Sequence, residues 1–127
     1  MHPITTPNAP QPAGHYSQAI VHNGLVYVAG QLPLDPRTGE VVAAGDVEAQ
    51  TEQVLRNVES VLRAANSGLD QLLSVTIFIT GRTAWAQVNA AYARMLGAHR
   101  PARAVVPVGD LKPGCAIEVQ AIAAQRA

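Results

Sequence analysis

The order of the predicted elements indicates an α+β fold, in which a mixed β-sheet carries two helices on one face. Two amphipathic helical patterns lie between runs of β-forming residues, and these two helices suffice to cover one face of a sheet. At 127 residues the chain has the length of one ordinary domain. We therefore expect residues 1–127 to form a single α+β domain.

The N-terminal part predicts an extended arm followed by a β-hairpin. Residues 1–14 contain four prolines and no continuous apolar run, which argues against a signal peptide or a membrane anchor. The stretch "SQAIVHNGLVYVAGQLPL" then alternates β-forming residues around His22-Asn23-Gly24. Asn-Gly between two such runs is a strong hairpin signal. We expect two strands here, with residues 25–31 forming the stronger one.

Two segments have the periodicity of amphipathic helices. The first starts at Asp46, a favourable N-cap, and ends at Asn66-Ser67-Gly68. The second begins near Thr83, a plausible cap, and closes at Gly97. Their apolar positions are Val47, Val54, Leu55, Val58, Val61, Leu62 and Ala65 in the first, and Trp85, Val88, Tyr92, Met95 and Leu96 in the second. We interpret both stripes as core.

The run "QLLSVTIFIT" predicts a central strand from Leu72 to Thr80. One alternation contains Leu73, Val75, Ile77 and Ile79, and the other contains Leu72, Ser74, Thr76, Phe78 and Thr80. The second face is partly apolar, and the two helices are already assigned to the first. An apolar face of this kind predicts a cover from another subunit. We expect a homo-oligomer with its pocket at the seam between subunits.

Composition argues against several classes of function. Nine Lys and Arg balance nine Asp and Glu, so the formal net charge is zero and no basic run is available for nucleic acid. The single cysteine, Cys115, rules out an intrachain disulfide. The four histidines show no i, i+4 pairing, which makes a metal site unexpected. We expect a soluble cytoplasmic protein with neither nucleic acid nor membrane as a partner.

The final strands, "ARAVVPV" and "CAIEVQAIAA", read as a hairpin around a turn from Gly109 to Gly114. If Val108 and Cys115 close this hairpin, the numbers of facing residues sum to 223. Arg103 then lies opposite Gln120, and Glu118 points to the same face as Arg103. Diagonal neighbours of this kind are roughly 7 Å apart at the backbone. The sequence therefore predicts an Arg103–Glu118 pair on one sheet face.

This pair has an ordinary interpretation and a functional one. A cross-strand ion pair on a solvated edge contributes under about 1 kcal/mol and is the commoner case. The neighbouring residues are almost all apolar, however, which favours a buried pair or the polar end of a ligand pocket. Arginine binds a carboxylate through two hydrogen bonds, and glutamate can position or activate water. Arg103 and Glu118 together predict a site for an acid with a proton-handling group beside it.

Three blocks of the chain resemble the reactive intermediate deaminases, the Rid or YjgF proteins once named L-PSP endoribonucleases. The blocks are "AGHYSQAIVHNGLVYVAGQLPLDPRTGEVV", "VNAAY" and "RPARAVVPVGDLKPGCAIEVQAIA", and together they cover most of the chain. The first block carries the family's expected residues Gly14, Tyr16, Ser17, Gln18, Ala19, Gly30 and Gln31.

The resemblance implies a fold similar to bacterial chorismate mutase and a homotrimer with a site in each cleft between subunits. It implies that Arg103 binds the substrate carboxylate and that Glu118 holds the water that attacks the imine carbon. Tyr16 and Asn89 match family positions that line the cleft, so they are carried over as substrate-binding residues. No metal and no organic cofactor is implied.

The implied reaction is hydrolysis of 2-imino acids or their enamine tautomers, such as those left by PLP-dependent dehydratases, to 2-keto acids and ammonia. This is a deaminase of the 2-iminobutanoate or 2-iminopropanoate type. Three departures bear on substrate range: Ala29 where active members often have serine, Val105 where cysteine is frequent, and His15 in place of proline.

Three alternatives stay open at this point. A subgroup enzyme would act on an aminoacrylate or an aminomuconate. A non-catalytic trimer would use Arg103 to bind a keto acid or a similar carboxylate without hydrolysing an imine. A ribonuclease, the third possibility, has little support from the neutral charge and from the absence of a histidine pair near a basic patch.

Overall fold

The computed structural model describes the backbone of all 127 residues and every side chain except that of Thr83. It confirms the α+β class, with a mixed sheet and two helices. The predicted Thr83 cap falls on the side chain outside the described part, and α2 starts directly after Ala84. The elements are β1 (His2–Ile4), β2 (Ala19–His22), β3 (Leu25–Gln31), α1 (Val47–Ala64), β4 (Leu72–Ile79), α2 (Trp85–Leu96), β5 (Ala102–Pro107) and β6 (Ile117–Ala124).

All six strands belong to one sheet, in the order β1-β2-β3-β6-β4-β5. Every neighbouring pair is antiparallel except β4 and β5, which run parallel. Helix α2 connects these two strands, because parallel neighbours need a long crossover between them. The sheet is therefore mixed, and β5 forms its outer edge.

The predicted hairpin between β2 and β3 is confirmed. His22 pairs with Leu25, and the two residues between them, Asn23 and Gly24, have φ values of 52° and 78°. Positive φ at both central positions is the type I′ geometry, whose twist matches that of the flanking strands. The Asn-Gly dipeptide thus sets the register of the first half of the sheet.

The predicted hairpin between the last two strands is wrong. β6 lies between β3 and β4, and β5 pairs with β4 alone. The β4-α2-β5 order forms a strand-helix-strand unit, which favours a parallel neighbour over a return hairpin. The segment from 108 to 116 then carries the chain past β4 to the centre of the sheet. Pro107 fits an edge position, since proline cannot donate to a further strand.

Helix α1 covers the sheet, and α2 packs beside it. The Asp46 carboxylate accepts a hydrogen bond from the Ala49 amide at 3.0 Å, which confirms the predicted cap. α1 lies against β3 and β6 and also contacts α2. The core between helices and sheet is made of aliphatic side chains, chiefly Val54, Leu55, Val58, Val61, Leu62, Val75, Ile77, Ile79, Ile117, Val119 and Ala121.

Strand β4 departs from the predicted alternation at its start. Leu72 is buried, whereas Leu73 is 47% exposed on the opposite face. The cause is a shift of register between Leu72 and Ser74 in the pairing with β6. From Val75 onward the predicted inner face, Val75, Ile77 and Ile79, is confirmed. The irregularity adds a leucine to the face that the helices leave open.

Buried Gln18 fastens the N-terminal segment to the sheet. Its side-chain oxygen accepts a hydrogen bond from the Thr6 amide at 2.7 Å. Its side-chain nitrogen donates to the Pro10 carbonyl at 3.0 Å. These bonds hold residues 6–10 against Gln18, which follows Tyr16 by two residues.

Candidate active site

Arg103 projects from the edge strand toward the helices. It is level with Val75 of β4, and paired residues of neighbouring strands point to the same face. Val75 is buried beneath the helices, which places Arg103 on the helix side of the sheet. There the guanidinium carbon lies 4.8 Å from the ring centre of Tyr92 on α2. A cation over an aromatic face at this distance is a favourable cation–π contact.

A cleft of about 330 Å³ opens between α2 and β5 beside this contact, and we call it the Arg103 cleft. Its polar lining residues are Asn89, Tyr92, His99, Arg100 and Arg103. Among the described residues that line it, none carries a carboxylate. The cleft is therefore cationic, and its volume lies at the small end of ligand pockets.

Tyr92 forms the floor beneath the Arg103 guanidinium. The tyrosine is 8% exposed, and its hydroxyl is buried without a hydrogen-bond partner in the described part of the chain. Burial raises the pKa of Tyr92, with the positive charge of Arg103 acting in the opposite direction. Tyr92 thus stays neutral, and its ring limits the positions that the guanidinium can occupy.

Glu118 lies on the other face of the sheet. It pairs with Phe78 on β4 and points away from the helices, half-buried. Burial raises the pKa of the Glu118 carboxyl, and no described partner lowers it. A carboxyl without a fixed partner and with a raised pKa has the properties of a general base.

Gly30 provides the space that the Glu118 carboxyl occupies. A Cβ placed on Gly30 would collide with the carboxylate oxygen and lie 3.0 Å from its carbon. A β-bulge between Val28 and Gln31 brings this part of β3 against β6. Any larger residue at position 30 would displace the Glu118 carboxyl from this place beside the backbone.

Tyr16 belongs to the same side of the molecule as Glu118. It is 53% exposed and lines a small pocket of about 100 Å³ together with Gly30 and Lys112. Glu118 does not line the pocket itself, but its carboxyl lies beside Gly30, which does. We call Tyr16, Gly30 and Glu118 the Glu118 surface.

The structure corrects the predicted geometry of the Arg103–Glu118 pair. Arg103 is level with Val75, and Glu118 is level with Phe78. These two β4 residues are three positions apart, and an odd separation along a strand means opposite faces. Asn89 lies with Arg103 in the cleft, whereas Tyr16 and Glu118 both lie near Gly30. One chain thus presents two candidate half-sites, one on each face of the sheet.

Sequence reasoning missed three residues of the cleft. Tyr92 was assigned to the core stripe of α2, although its spacing of three from Asn89 places both on one helix face. His99 and Arg100 lie in the link between α2 and β5 and carry no periodic signal. Their place beside Arg103 follows from the parallel pairing of β5 with β4, which was not predicted.

The described residues contain no metal cluster and no membrane-crossing helix. Within them, no group of three or more His, Cys, Asp or Glu side chains is arranged to hold a metal ion. Neither α1 nor α2 is long and apolar enough to span a bilayer.

Comparison with known proteins assigns the chain to a family. Residues 6–125 match the family model described as endoribonuclease L-PSP. The chain belongs to this family, whose members are also known as Rid, YjgF and RutC proteins. A RutC family protein of Pyrococcus horikoshii is 43% identical to the chain, over 94% of each.

Solved structures of the L-PSP family have the same fold. The Escherichia coli YjgF gene product is 36% identical, with a TM-score of 0.92 over 99% of this chain and 100% of that one. Escherichia coli TdcF, solved with bound serine, is 32% identical, with a TM-score of 0.93 over 99% and 100%.

Proposed function

We propose that this L-PSP family protein is a hydrolytic deaminase that converts 2-imino acids, or their enamine tautomers, to 2-keto acids and ammonia. The observation that carries the proposal is the Arg103 cleft, where an arginine held on an aromatic ring faces a space without a described carboxylate. Such a guanidinium is suited to binding a carboxylate through two hydrogen bonds. Asn89 adds an amide to the same cleft.

Because the two half-sites lie on opposite faces of one chain, a second copy of the chain is required to bring them together. The open sheet face around Glu118 carries exposed apolar side chains, including Tyr27 at 43%, Leu73 at 47% and Val106 at 37%. An apolar face of this kind is typical of a subunit interface. We propose that the edge strand β5 of one copy lies against the open face of the next. Repeated head to tail three times, this contact closes a homotrimer with a site at each seam.

The chemistry follows from the roles of the two halves. Arg103 of one copy binds the substrate carboxylate, and Glu118 of the next holds a water beside the C=N carbon. Glu118 takes a proton from the water as the water oxygen bonds to carbon, and it passes this proton to the imine nitrogen, which gives a carbinolamine. Glu118 then moves the hydroxyl proton of the carbinolamine to the amino nitrogen, so that the C–N bond breaks and ammonia leaves as the C=O bond forms. Each turnover consumes one water, and proximity with one proton shuttle suffices for an imine that already hydrolyses slowly in water.

A relative with a bound ligand supports an amino-acid-like substrate. The TdcF structure contains serine, which carries a carboxylate next to its amino-bearing carbon. A 2-imino acid has the same arrangement with C=N in place of C–N. The carboxylate is the group that Arg103 is placed to hold.

Two finer alternatives concern the same cleft. A subgroup enzyme would act on an aminoacrylate or aminomuconate, with the same roles for Arg103 and Glu118. A non-catalytic trimer would bind keto acids through Arg103 without using Glu118. We favour catalysis because Glu118 has a raised pKa, no described partner and a glycine beneath it. We also propose that residues 1–127 act as one cytoplasmic domain without nucleic-acid or membrane partners.

The test is hydrolysis of imines generated in situ by an amino acid oxidase, with a scavenger competing for the imine. We expect the wild type to accelerate 2-keto acid formation, and Arg103→Ala and Glu118→Gln to return to the uncatalysed rate. Arg82→Gln and Glu40→Gln are matched controls, because both residues are exposed and neither lines the cleft or the Glu118 surface. A wild type that binds keto acids without accelerating hydrolysis would make the binding trimer the better description.

A further inference from the structure

A second arginine shares the cleft with Arg103. Arg100 lines the same space, and neither arginine forms an ion pair with a described carboxylate. Most other arginines are paired: Arg37 with Asp35, Arg56 with Glu52, Arg63 with Glu59, Arg94 with Glu48 and Arg126 with Asp70. Both arginines are exposed, and a ligand that supplies negative charge would relieve the repulsion between the two like charges. A single carboxylate carries one negative charge and leaves one of the two positive charges uncompensated.

The backbone around Arg100 is held in place. The Nε2 atom of His99 lies 2.7 Å from the Leu72 carbonyl oxygen, and the His99 amide donates to the Leu96 carbonyl at 3.3 Å. Since a carbonyl only accepts, Nε2 is the protonated nitrogen in this bond. Pro101 follows Arg100 and restricts the chain further. Arg100 is therefore presented from a fixed link, at most about 11 Å from the Cα atom of Arg103.

We propose that the preferred substrates are 2-imino dicarboxylates, the imines of acidic amino acids. The inference rests on the proposed deaminase function and names its substrate class. Arg103 binds the carboxylate next to the C=N carbon, and Arg100 binds the second carboxylate at the far end of the side chain. The reaction is unchanged: one water is consumed, the C–N bond breaks, and a 2-keto dicarboxylate and ammonia are released.

The cleft accommodates such a substrate. Its volume of about 330 Å³ leaves room for a molecule of four or five carbons. Asn89 adds a neutral amide near the two guanidinium groups, and no described lining residue repels a second negative charge. The side chain of a monocarboxylic imine would leave Arg100 without a partner.

The first experiment compares dicarboxylic with monocarboxylic imines. We would measure kcat/KM for 2-iminoglutarate and 2-iminobutanoate with wild type, Arg100→Gln, Arg100→Lys and the control Arg82→Gln. We expect the wild type to prefer 2-iminoglutarate. Arg100→Gln should lower kcat/KM for 2-iminoglutarate at least tenfold and change that for 2-iminobutanoate less than twofold. Arg100→Lys should restore part of the loss, and Arg82→Gln should change neither value.

A second experiment separates this inference from the proposed function. We would titrate the keto acids 2-oxoglutarate and 2-oxobutanoate into the same variants by calorimetry, which needs no catalysis. Binding of 2-oxoglutarate should be tighter and should weaken at least tenfold in Arg100→Gln. If hydrolysis is absent but this binding pattern holds, the deaminase proposal fails and the dicarboxylate cleft stands. The dicarboxylate inference is overturned, and the deaminase stands, if imines are hydrolysed but Arg100→Gln affects dicarboxylic and monocarboxylic substrates equally or affects neither.

Discussion

The Arg103 cleft and the Glu118 surface are built in opposite ways. The cleft is formed by side chains of two elements: a ring on α2 supports a guanidinium from β5. The Glu118 surface depends on an absent side chain, because Gly30 leaves the space that the carboxyl fills. The Arg103 cleft is a preformed pocket within one chain. The Glu118 surface lies on an open sheet face, and in the proposed function it becomes a site only when another copy of the chain covers it.

The largest effects should come from removing either charged group, and the two losses should differ. Arg103→Ala should abolish both hydrolysis and keto acid binding, because the carboxylate loses its partner. Glu118→Gln should abolish hydrolysis and leave keto acid binding within about threefold, since it retains size and loses only the proton acceptor. Kinetics combined with calorimetry checks this. If both variants lost keto acid binding equally, Glu118 would have to bind the ligand as Arg103 does, and the proposed division of roles would be wrong.

Glu118→Gln should also cost no stability. Burial raises the pKa of the folded-state carboxyl, so the ionised group is disfavoured in the folded chain relative to the unfolded one. That penalty is absent at low pH and develops as pH rises from the unfolded pKa through the raised folded pKa. At neutral pH, the melting temperature of Glu118→Gln should therefore be equal to or above that of the wild type. A clear drop in melting temperature would reveal a structural partner for Glu118.

Gly30→Ala should damage the Glu118 surface and spare the cleft. The added Cβ would displace the carboxyl, and a misplacement of about 1 Å at a reacting group can reduce rate by about a hundredfold. We expect kcat to fall at least tenfold while keto acid binding stays within about threefold. Gly39→Ala is unsuitable as a control because Gly39 has a φ of 75°, whereas Gly81 has open space and ordinary backbone angles. Gly81→Ala should be near wild type in both measurements.

Two substitutions of Tyr92 should weaken substrate binding in the Arg103 cleft to different extents. Tyr92→Phe retains the ring and removes an unpartnered buried hydroxyl, so activity should stay within about twofold and stability should not fall. Tyr92→Leu removes the ring under Arg103, a contact worth about 0.5–2 kcal/mol, and should raise KM by about two- to thirtyfold with little change in kcat. Steady-state kinetics of both variants checks this. A large loss in Tyr92→Phe would assign a direct role to the hydroxyl.

The smallest expected effect is a shift of the acid limb of the kcat/KM against pH profile to higher pH. In the proposed reaction hydrolysis needs the ionised Glu118, and burial raises the pKa of this carboxyl above its ordinary value of 4.5. The kcat/KM in excess of the uncatalysed rate should therefore fall as pH drops through this raised pKa, above the range of an ordinary glutamate. Arg82→Gln should show the same limb. A profile that is flat down to the ordinary glutamate range would separate Glu118 from the proton transfer.

The sequence predicted the elements better than their arrangement. Both helices, the Asn23-Gly24 turn and the inner face of β4 from Val75 onward follow from local sequence patterns, and the start of α1 follows from its Asp46 cap. These signals act over a few residues. The pairing of β5 and β6 does not, because nearness in sequence favoured a hairpin over the insertion of β6 between β3 and β4. Leu72 and Leu73 exchanged faces for a similar reason, since the register shift depends on a partner strand.

Residue type and resemblance selected the candidate site residues, but the sequence did not predict how these residues are arranged. Arg103 and Glu118 were predicted because they are charged residues within apolar strands, and Tyr16 and Asn89 were predicted from the family resemblance. The structure separates the four into two pairs, Arg103 with Asn89 and Glu118 with Tyr16. The faces on which Arg103 and Glu118 lie depend on the register of β4, β5 and β6, and no local sequence pattern carries that information. Arg100 and His99 lie outside any periodic element, so only the folded chain places them beside Arg103.

The central claim is that a working site takes its arginine and its glutamate from different copies of the chain. Arg103→Ala and Glu118→Gln, each inactive alone, would be refolded together in equal amounts and assayed for imine hydrolysis. Mixed trimers should recover about a quarter of wild-type activity, since each seam has about one chance in four of pairing an intact Arg103 with an intact Glu118 of its neighbour. Separately refolded samples mixed afterwards should stay inactive. If the co-refolded mixture forms trimers yet remains inactive, the two residues do not act across a seam, and the two-half account is contradicted.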